Sequence, residues 1–213
     1  MKTSKLSNFA RNYLDYYCEL ENEFRKTQKY VAFDKYNLKT YSLEYLKLMQ
    51  AVCGEIDVVA KAIAKDIDPS FRINRYTGIQ QWGYVLQNKL PQILSAGIVF
   101  NHNIRVIPWK NWLYEQYTDK DGKIRYKLKE KSQTPSWWKA YNSVKHARTM
   151  LDDSGQTNFT KANLHNVIQC FAALLILESE YVITLSGEQE PIAGVGNYQL
   201  FQPYYEQFKD IIY

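Results

Sequence analysis

Three polar side chains share one face of a helix predicted over residues 137–151. At about 100° per residue, Lys139, Asn142 and His146 lie within about 60° of one another, opposite the apolar face of that helix. Histidine exchanges protons near neutral pH, lysine offsets charge that builds on phosphoryl oxygens, and an asparagine amide can orient a phosphate or the 2′-hydroxyl of RNA. The pattern therefore indicates a site that could cleave a phosphodiester bond without a metal ion. The alternative is a polar helix face that is only solvated.

A second group of positive charges recurs at every second residue of a strand predicted after the turn Asp119–Gly122. Alternate residues of a strand lie on one face, so these cations form a stripe that could follow a nucleic-acid backbone with salt-dependent affinity. The alternative is the solvated side of a hairpin, where edge lysines prevent aggregation between sheets. The candidate RNA-binding residues are Lys123, Arg125, Lys127, Lys129 and Lys131 of the stripe, together with Lys145 of the helix 137–151.

Two charged residues fall within the apolar faces of predicted helices. Glu55 lies among apolar positions of a helix over residues 43–67, and Arg148 lies on the apolar face of the helix 137–151. A charge in a protein core must be paired or neutralised. We therefore expect the two helices to pack together and Glu55 to form a buried ion pair with Arg148. The pair is either purely structural, or Arg148 also reaches His146 and supplies a phosphate-binding cation.

The elements that must hold these residues are mainly helical. Strand-like runs and a turn signal predict one β-hairpin, inserted at about residues 104–131, and the aromatic tail 198–213 predicts a short terminal helix. The sequence therefore predicts a mainly α fold, an antiparallel helical bundle with a small inserted β-hairpin. Apolar residues at helical spacing place the other helices at about residues 7–27, 43–67, 77–91, 134–151 and 160–185.

The composition fits a single globular domain over residues 1–213, because 46% of the residues are hydrophobic and 23% are charged. The net charge of +5 permits an anionic partner without requiring one. Aromatic residues make up 15% of the chain, and they either stack on bases or fill the core.

Other bulk features narrow the class of protein. The three cysteines lie far apart without a C-x-x-C pair, which argues against a disulfide scaffold or a zinc site and indicates a reducing compartment. The N-terminal residues lack an apolar signal segment, and the apolar run Val167–Leu177 is shorter than the roughly 20 residues of a membrane span. We therefore expect a cytoplasmic protein without a membrane contact, a metal or a cofactor.

A family resemblance is carried by the helix 137–151. Its sequence resembles a segment of a group of bacterial helical proteins, as do residues 41–45, 55–61 and 158–164. The part N-x-V-K-H is similar to the active helix of the HEPN superfamily, which consists of all-α domains of toxins and antiphage systems. Catalytic members are metal-independent ribonucleases that act as dimers. The resemblance therefore implies RNA as the substrate, a homodimer, and an antitoxin or defence-system protein as a partner. The matching segment reads Trp137-Trp138-Lys-Ala-Tyr141-Asn142-Ser-Val-Lys145-His146-Ala-Arg148.

The catalytic motif of that superfamily places an arginine four to six residues before the histidine. The corresponding positions hold Tyr141, Ala140 and Lys139, and lysine lacks the planar fork with which arginine binds phosphate. One hypothesis is an endoribonuclease with His146 as general acid or base, Asn142 as the substrate-positioning group, and Lys139 or Arg148 as the cation. The other is a non-catalytic protein that binds nucleic acid or a protein partner. The two hypotheses differ in whether the face of Lys139, Asn142 and His146 opens to a groove or is covered.

Overall fold

The computed structural model describes residues 2–186 and 200–204. A short π-helix at Ala10–Leu14 joins the first two helices into one continuous N-terminal rod. Most of the described residues are helical, and the strands form two small antiparallel sheets. The prediction of a mainly α fold is therefore confirmed. The helices are α1 (Lys2–Phe9), α2 (Asp15–Lys26), α3 (Leu43–Ile67), α4 (Ile79–Lys89), α5 (Ser136–Ala147) and α6 (Leu164–Ser186), and the strands are β1 (Gly97–Phe100), β2 (Ile104–Val106), β3 (Tyr114–Thr118), β4 (Ile124–Leu128) and β5 (Phe201–Tyr204).

Local signals set both ends of α3. The Ser42 hydroxyl accepts a hydrogen bond from the backbone N–H of Tyr45 at 3.1 Å and so caps the first turn. The helix ends at Ile67, before the Asp68-Pro69 pair, because the residue before a proline avoids the helical conformation. Its apolar stripe is buried along the whole length, so α3 forms the centre of the core.

The central helices α3 and α6 run parallel. Their starts are joined by a β-bridge between Tyr41 and Asn163, and near their ends the Tyr181 hydroxyl donates to Asp66 at 2.6 Å. For this pair the expected antiparallel arrangement is wrong, because the long intervening segment returns the chain to the same end of the core before α6 begins. The N-terminal rod runs in the opposite direction, since Lys5 contacts Asp66 while Phe24 stacks on Phe171.

Helix α6 is buried on nearly all sides. By length and mean hydropathy (1.6) it is the one helix among the described residues that could cross a membrane, but 78% of its most apolar window is buried within the fold. A helix that is apolar all round is found either in a membrane or in the centre of a core. Its contacts with α1, α3 and α5 give α6 the environment of a core helix.

The strands form two separate sheets. Strand β1 is fully buried and lies between β2 and β5 in a three-stranded antiparallel sheet, while β3 pairs antiparallel with β4. The sequence interpretation did not include β1, and the predicted insertion at 104–131 is divided between the two sheets. Residues 201–204 of the tail form β5 instead of a helix, because β1 offers them a partner strand. The other residues of the predicted tail helix, apart from Leu200, lie outside the described part of the chain.

The five tryptophans of the chain meet in one cluster that joins α4, α5 and the segment between β2 and β3. The ring centroids of Trp82 and Trp138 are 6.0 Å apart, and those of Trp109 and Trp137 are 5.0 Å apart. Trp112 lies so close to Gly83 that a Cβ at this glycine would stand 2.4 Å from the indole Cζ2. These side chains are buried, so the tryptophans act as core residues and not as stacking platforms for bases.

Candidate functional site

Helix α5 presents the predicted polar face to solvent. Lys139 and His146 are exposed and Asn142 is half-buried, while the opposite side of the helix is buried in the core. The helix ends at Ala147, whose carbonyl oxygen accepts a hydrogen bond from the Asn158 side chain at 2.9 Å. The three side chains are therefore open to a ligand in a single copy of the chain.

Arg148 does not form the predicted ion pair with Glu55. It directly follows the last residue of α5 and is exposed to solvent, so the core that buries the apolar face of the helix does not extend to this position. Glu55 is half-buried, and burial raises the pKa of its carboxyl group. The expected packing of α3 against α5 is present. Arg148 and His146 are both exposed, close together in sequence at the end of α5.

Lys145 lies on a different side of α5 from Lys139. Its ammonium group is 5.3 Å from the centre of the Tyr141 ring, a cation–π contact within the helix. The side chain is exposed, so it can add positive charge beside His146. Burial raises the pKa of the Cys53 thiol of α3, and the positive charge of Lys145 opposes this rise.

The basic stripe on β4 is exposed, but part of its charge is compensated within the hairpin. Arg125 forms an ion pair with Asp119 at 2.8 Å, and Lys127 forms one with Glu115 on the neighbouring strand at 3.0 Å. The Arg125 guanidinium lowers the pKa of Asp119, which therefore stays ionised. Lys123, Lys129 and Lys131 are exposed as well, at and beyond the ends of β4.

The other side of β4 largely follows the predicted alternation. Tyr126 packs against Tyr84 of α4 with ring centroids 5.0 Å apart, and Leu128 is half-buried. Ile124 lies on this same side but is 58% exposed, because it lies at the open end of the strand pair opposite Thr118. The contact between Tyr84 and Tyr126 fixes one wall of a cleft.

That cleft has a volume of about 720 Å³ and lies between the loop 68–77, α4 and the β3–β4 pair. Sequence reasoning missed it, because its walls come from three segments and the loop has no periodic pattern. The only local signal was the occurrence of two arginines and a tyrosine within five residues, Arg72-Ile-Asn-Arg-Tyr76. Of the predicted RNA-binding residues, Arg125 alone lines the cleft.

The lining of the cleft combines positive charge with aromatic rings. The cations are Arg72, Lys89 and Arg125, and the one carboxylate is Asp68. Tyr76 lies at the surface with 72% of its area exposed. The guanidinium carbon of Arg75 is 4.6 Å from the centre of the Tyr76 ring. Such a surface can hold an anion and a planar ring together.

The cleft and the face of α5 are separate places on the molecule. No residue of α5 lines the cleft, and Trp82, which packs on Trp138 of α5, lies between them on α4.

Two acidic side chains of α6 lie in the core. Glu178 of α6 is fully buried, and burial together with the nearby Glu55 raises its pKa well above the usual range. Glu180 is also buried, but its carboxylate accepts a hydrogen bond from Gln92 at 2.8 Å. Among residues 2–186 and 200–204, no three His, Cys, Asp or Glu side chains are placed to bind a metal.

Comparison with family models, with curated proteins and with solved structures gives no match to this chain.

Proposed function

We propose that this chain is an RNA-directed, HEPN-like protein in which α5 cleaves RNA without a metal ion. The observation that supports this proposal is the exposure of Lys139 and His146 on one face of α5, with Asn142 between them. The buried tryptophan side of the helix holds that face in a fixed position. The setting we propose is the bacterial cytoplasm, in antiphage defence or a toxin–antitoxin pair.

The chemistry follows from the three side-chain types. A neutral His146 takes the proton of the RNA 2′-hydroxyl as its oxygen attacks the adjacent phosphorus. The bond from phosphorus to the 5′-oxygen breaks, and an imidazolium returns a proton to that leaving oxygen, which gives a 2′,3′-cyclic phosphate. Lys139 offsets the charge on the phosphoryl oxygens, with Arg148 as the alternative cation, and Asn142 orients the phosphate.

A homodimer belongs to this proposal, because two copies of α5 side by side supply one histidine as the base and one as the acid. A dimer is tested by measuring the mass of the purified protein in solution with light scattering. A monomer at all concentrations, combined with full cleavage activity, contradicts the two-histidine arrangement.

The second candidate function is RNA binding without cleavage. It is favoured by the absence of an arginine at the motif positions, since Lys139 binds phosphate only as a point charge. An antitoxin or defence-system protein is then the partner that gives the bound RNA a function.

Cleavage of total RNA in EDTA separates the two candidates. We expect cleavage by the wild type, loss of cleavage in His146→Ala, and a strong reduction in Lys139→Ala, because the base and the cation act on the same phosphate. The matched control is His102→Asn, which removes another exposed histidine at a positive φ of 64°, a conformation that asparagine tolerates. Cleavage that persists in folded His146→Ala overturns the catalytic proposal, and intact RNA that is nevertheless bound supports the second candidate.

A further inference from the structure

We propose that the cleft between the loop 68–77, α4 and the β3–β4 pair binds a short single-stranded segment of RNA. One base stacks on Tyr76, and Arg72, Lys89 and Arg125 hold the phosphates. The inference rests on the proposed function, because it gives that RNA-directed protein a binding site distinct from the face of α5.

The size of the cleft suits a nucleotide. Its volume of about 720 Å³ lies within the range of roughly 300–1,000 Å³ that is usual for small-ligand sites. It is open to solvent along the mouth where Tyr76 stands, so a chain can enter and leave it. A linear polymer with flexible bonds fits such an open site, whereas a rigid duplex requires a broader and flatter surface.

The charges of the lining favour an anion. The lining contains three cations and one carboxylate, that of Asp68. This carboxylate already accepts hydrogen bonds from the Ser70 hydroxyl at 2.6 Å and the Ser70 backbone N–H at 2.9 Å. Arg125 uses its Nε–H for Asp119, which leaves the four N–H groups on its two terminal nitrogens for a phosphate. Arg72 donates to the carbonyl oxygen of Pro69, which fixes its guanidinium at the edge of the cleft.

The aromatic part of the lining favours a base. Arg75 lies against the Tyr76 ring and donates to its hydroxyl at 2.5 Å, so the ring is held in one orientation before a ligand arrives. Stacking on a ring that is already ordered loses little conformational entropy. Every base has a π-face, so this contact is tolerant of sequence.

Side-chain amides supply the remaining polar contacts. Asn74 and Gln81 line the cleft and use their amide oxygens to accept backbone N–H groups of Tyr76 at 2.8 Å and Gly78 at 2.9 Å. Their NH₂ groups are therefore donors that a base edge or a 2′-hydroxyl can accept. An acidic peptide would satisfy the cations of the cleft, but it would leave Tyr76 without a stacking partner.

The test is the affinity of a fluorescent single-stranded RNA of about 12 nucleotides, a length within the usual site sizes of strand-binding proteins, measured by anisotropy in EDTA. We expect Tyr76→Ala to weaken binding by about tenfold or more. The matched control is Tyr36→Ala, because Tyr36 is 84% exposed and also carries a cation, Lys35, at 5.1 Å from its ring centre. We expect the affinity of that control to be unchanged.

The phosphate contacts are tested by the salt dependence of the same affinity. We expect Arg72→Ala combined with Lys89→Ala to lower the slope of log K against log salt by about 1.4, which corresponds to about 0.7 for each lost phosphate contact. All the substituted side chains are exposed, so the variants should keep the wild-type melting temperature.

Three results would overturn the inference. If Tyr76→Ala binds RNA as tightly as the wild type while Lys139→Ala does not, the RNA site is on α5. The cleft assignment then fails, whereas the proposed function still holds. If a free mononucleotide or an acidic peptide binds as tightly as the RNA and depends on Tyr76, the cleft serves that ligand instead. If the wild type neither binds nor cleaves RNA, the proposed function and the cleft assignment both fail.

Discussion

The carboxyl group of Glu178 lies in the core beside that of Glu55, and in the described part of the chain neither of its oxygens has a hydrogen-bond partner. Glu178 comes from α6 and Glu55 from α3, so the parallel packing of the two central helices brings two acids together. An ionised carboxylate is unfavourable at this place, since no cation or hydrogen-bond donor among residues 2–186 and 200–204 compensates for the lost water. The protein therefore holds Glu178 in its protonated form over a wider pH range than the unfolded chain does.

This raised pKa predicts that Glu178 destabilises the fold as the pH rises. Below about pH 4 the carboxyl group is protonated in both the folded and the unfolded chain, so it has no effect on stability. Above the unfolded pKa, the free energy of unfolding falls by about 1.4 kcal/mol per pH unit until the pH passes the folded pKa. We therefore expect Glu178→Gln to be more stable than the wild type at pH 7 in urea unfolding, with a smaller difference at pH 4.

Two further variants make this prediction specific. Glu178→Leu removes the unsatisfied polar atoms as well and should raise stability at both pH values. Glu130→Gln changes an exposed glutamate and should leave stability unchanged within about 0.5 kcal/mol. An equal effect of Glu178→Gln at pH 4 and pH 7 would show that this group does not titrate as the structure requires.

A pair of glycine substitutions tests the tryptophan cluster. Gly83→Ala should lose about 1–3 kcal/mol of stability, because its Cβ would meet the Trp112 ring at 2.4 Å and overpack the core. Gly54→Ala has no atom within 4 Å of its new Cβ, and it should gain up to about 1 kcal/mol from helix propensity in α3. Thermal unfolding should thus shift in opposite directions for the two variants, and a shift in the same direction would contradict this packing.

The burial of the cysteines predicts which thiols react. Cys53 and Cys170 are fully buried with their sulfur atoms 3.3 Å apart, and burial raises the pKa of the Cys53 thiol well above the usual range. Cys18 is half-buried and is the better target. We expect Ellman's reagent to modify one thiol rapidly in the folded protein and all three after denaturation. Cys18→Ser should abolish the rapid phase, and a rapid phase that remains in this variant would mean that the α3–α6 contact opens.

The exposure of Arg148 predicts that Arg148→Ala hardly changes stability, with an effect within about 0.5 kcal/mol. A buried ion pair with Glu55 would instead make the loss about 3–5 kcal/mol, since one charge would stay uncompensated in the core. Urea unfolding of this variant therefore discriminates directly between the sequence expectation and the structure. The same variant assayed for RNA cleavage shows whether Arg148 contributes a phosphate-binding cation.

Local sequence was enough to predict several elements, because their determinants lie within one or two turns of chain. The helix predicted over residues 43–67 matches α3, and the alternation on β4 predicted which side carries the charged residues. The solvent-facing side of α5 was predicted in the same way, from the helical spacing of Lys139 and His146. Arg148 was misplaced because helical spacing does not show how far along the helix the core extends, and at the end of α5 this position is exposed.

Tertiary structure alone decided how these elements meet. The parallel direction of α3 and α6 depends on the path of the roughly 100 residues between them, and only this packing places Glu178 beside Glu55. The cleft likewise needs a loop, one face of α4 and a strand pair whose residues are distant in the sequence. Periodicity reports which side of an element is apolar, but it contains no information about which other element covers that side. The sequence by itself therefore determined the helices and their polar faces, while tertiary packing decided which charges are buried and where a ligand can enter.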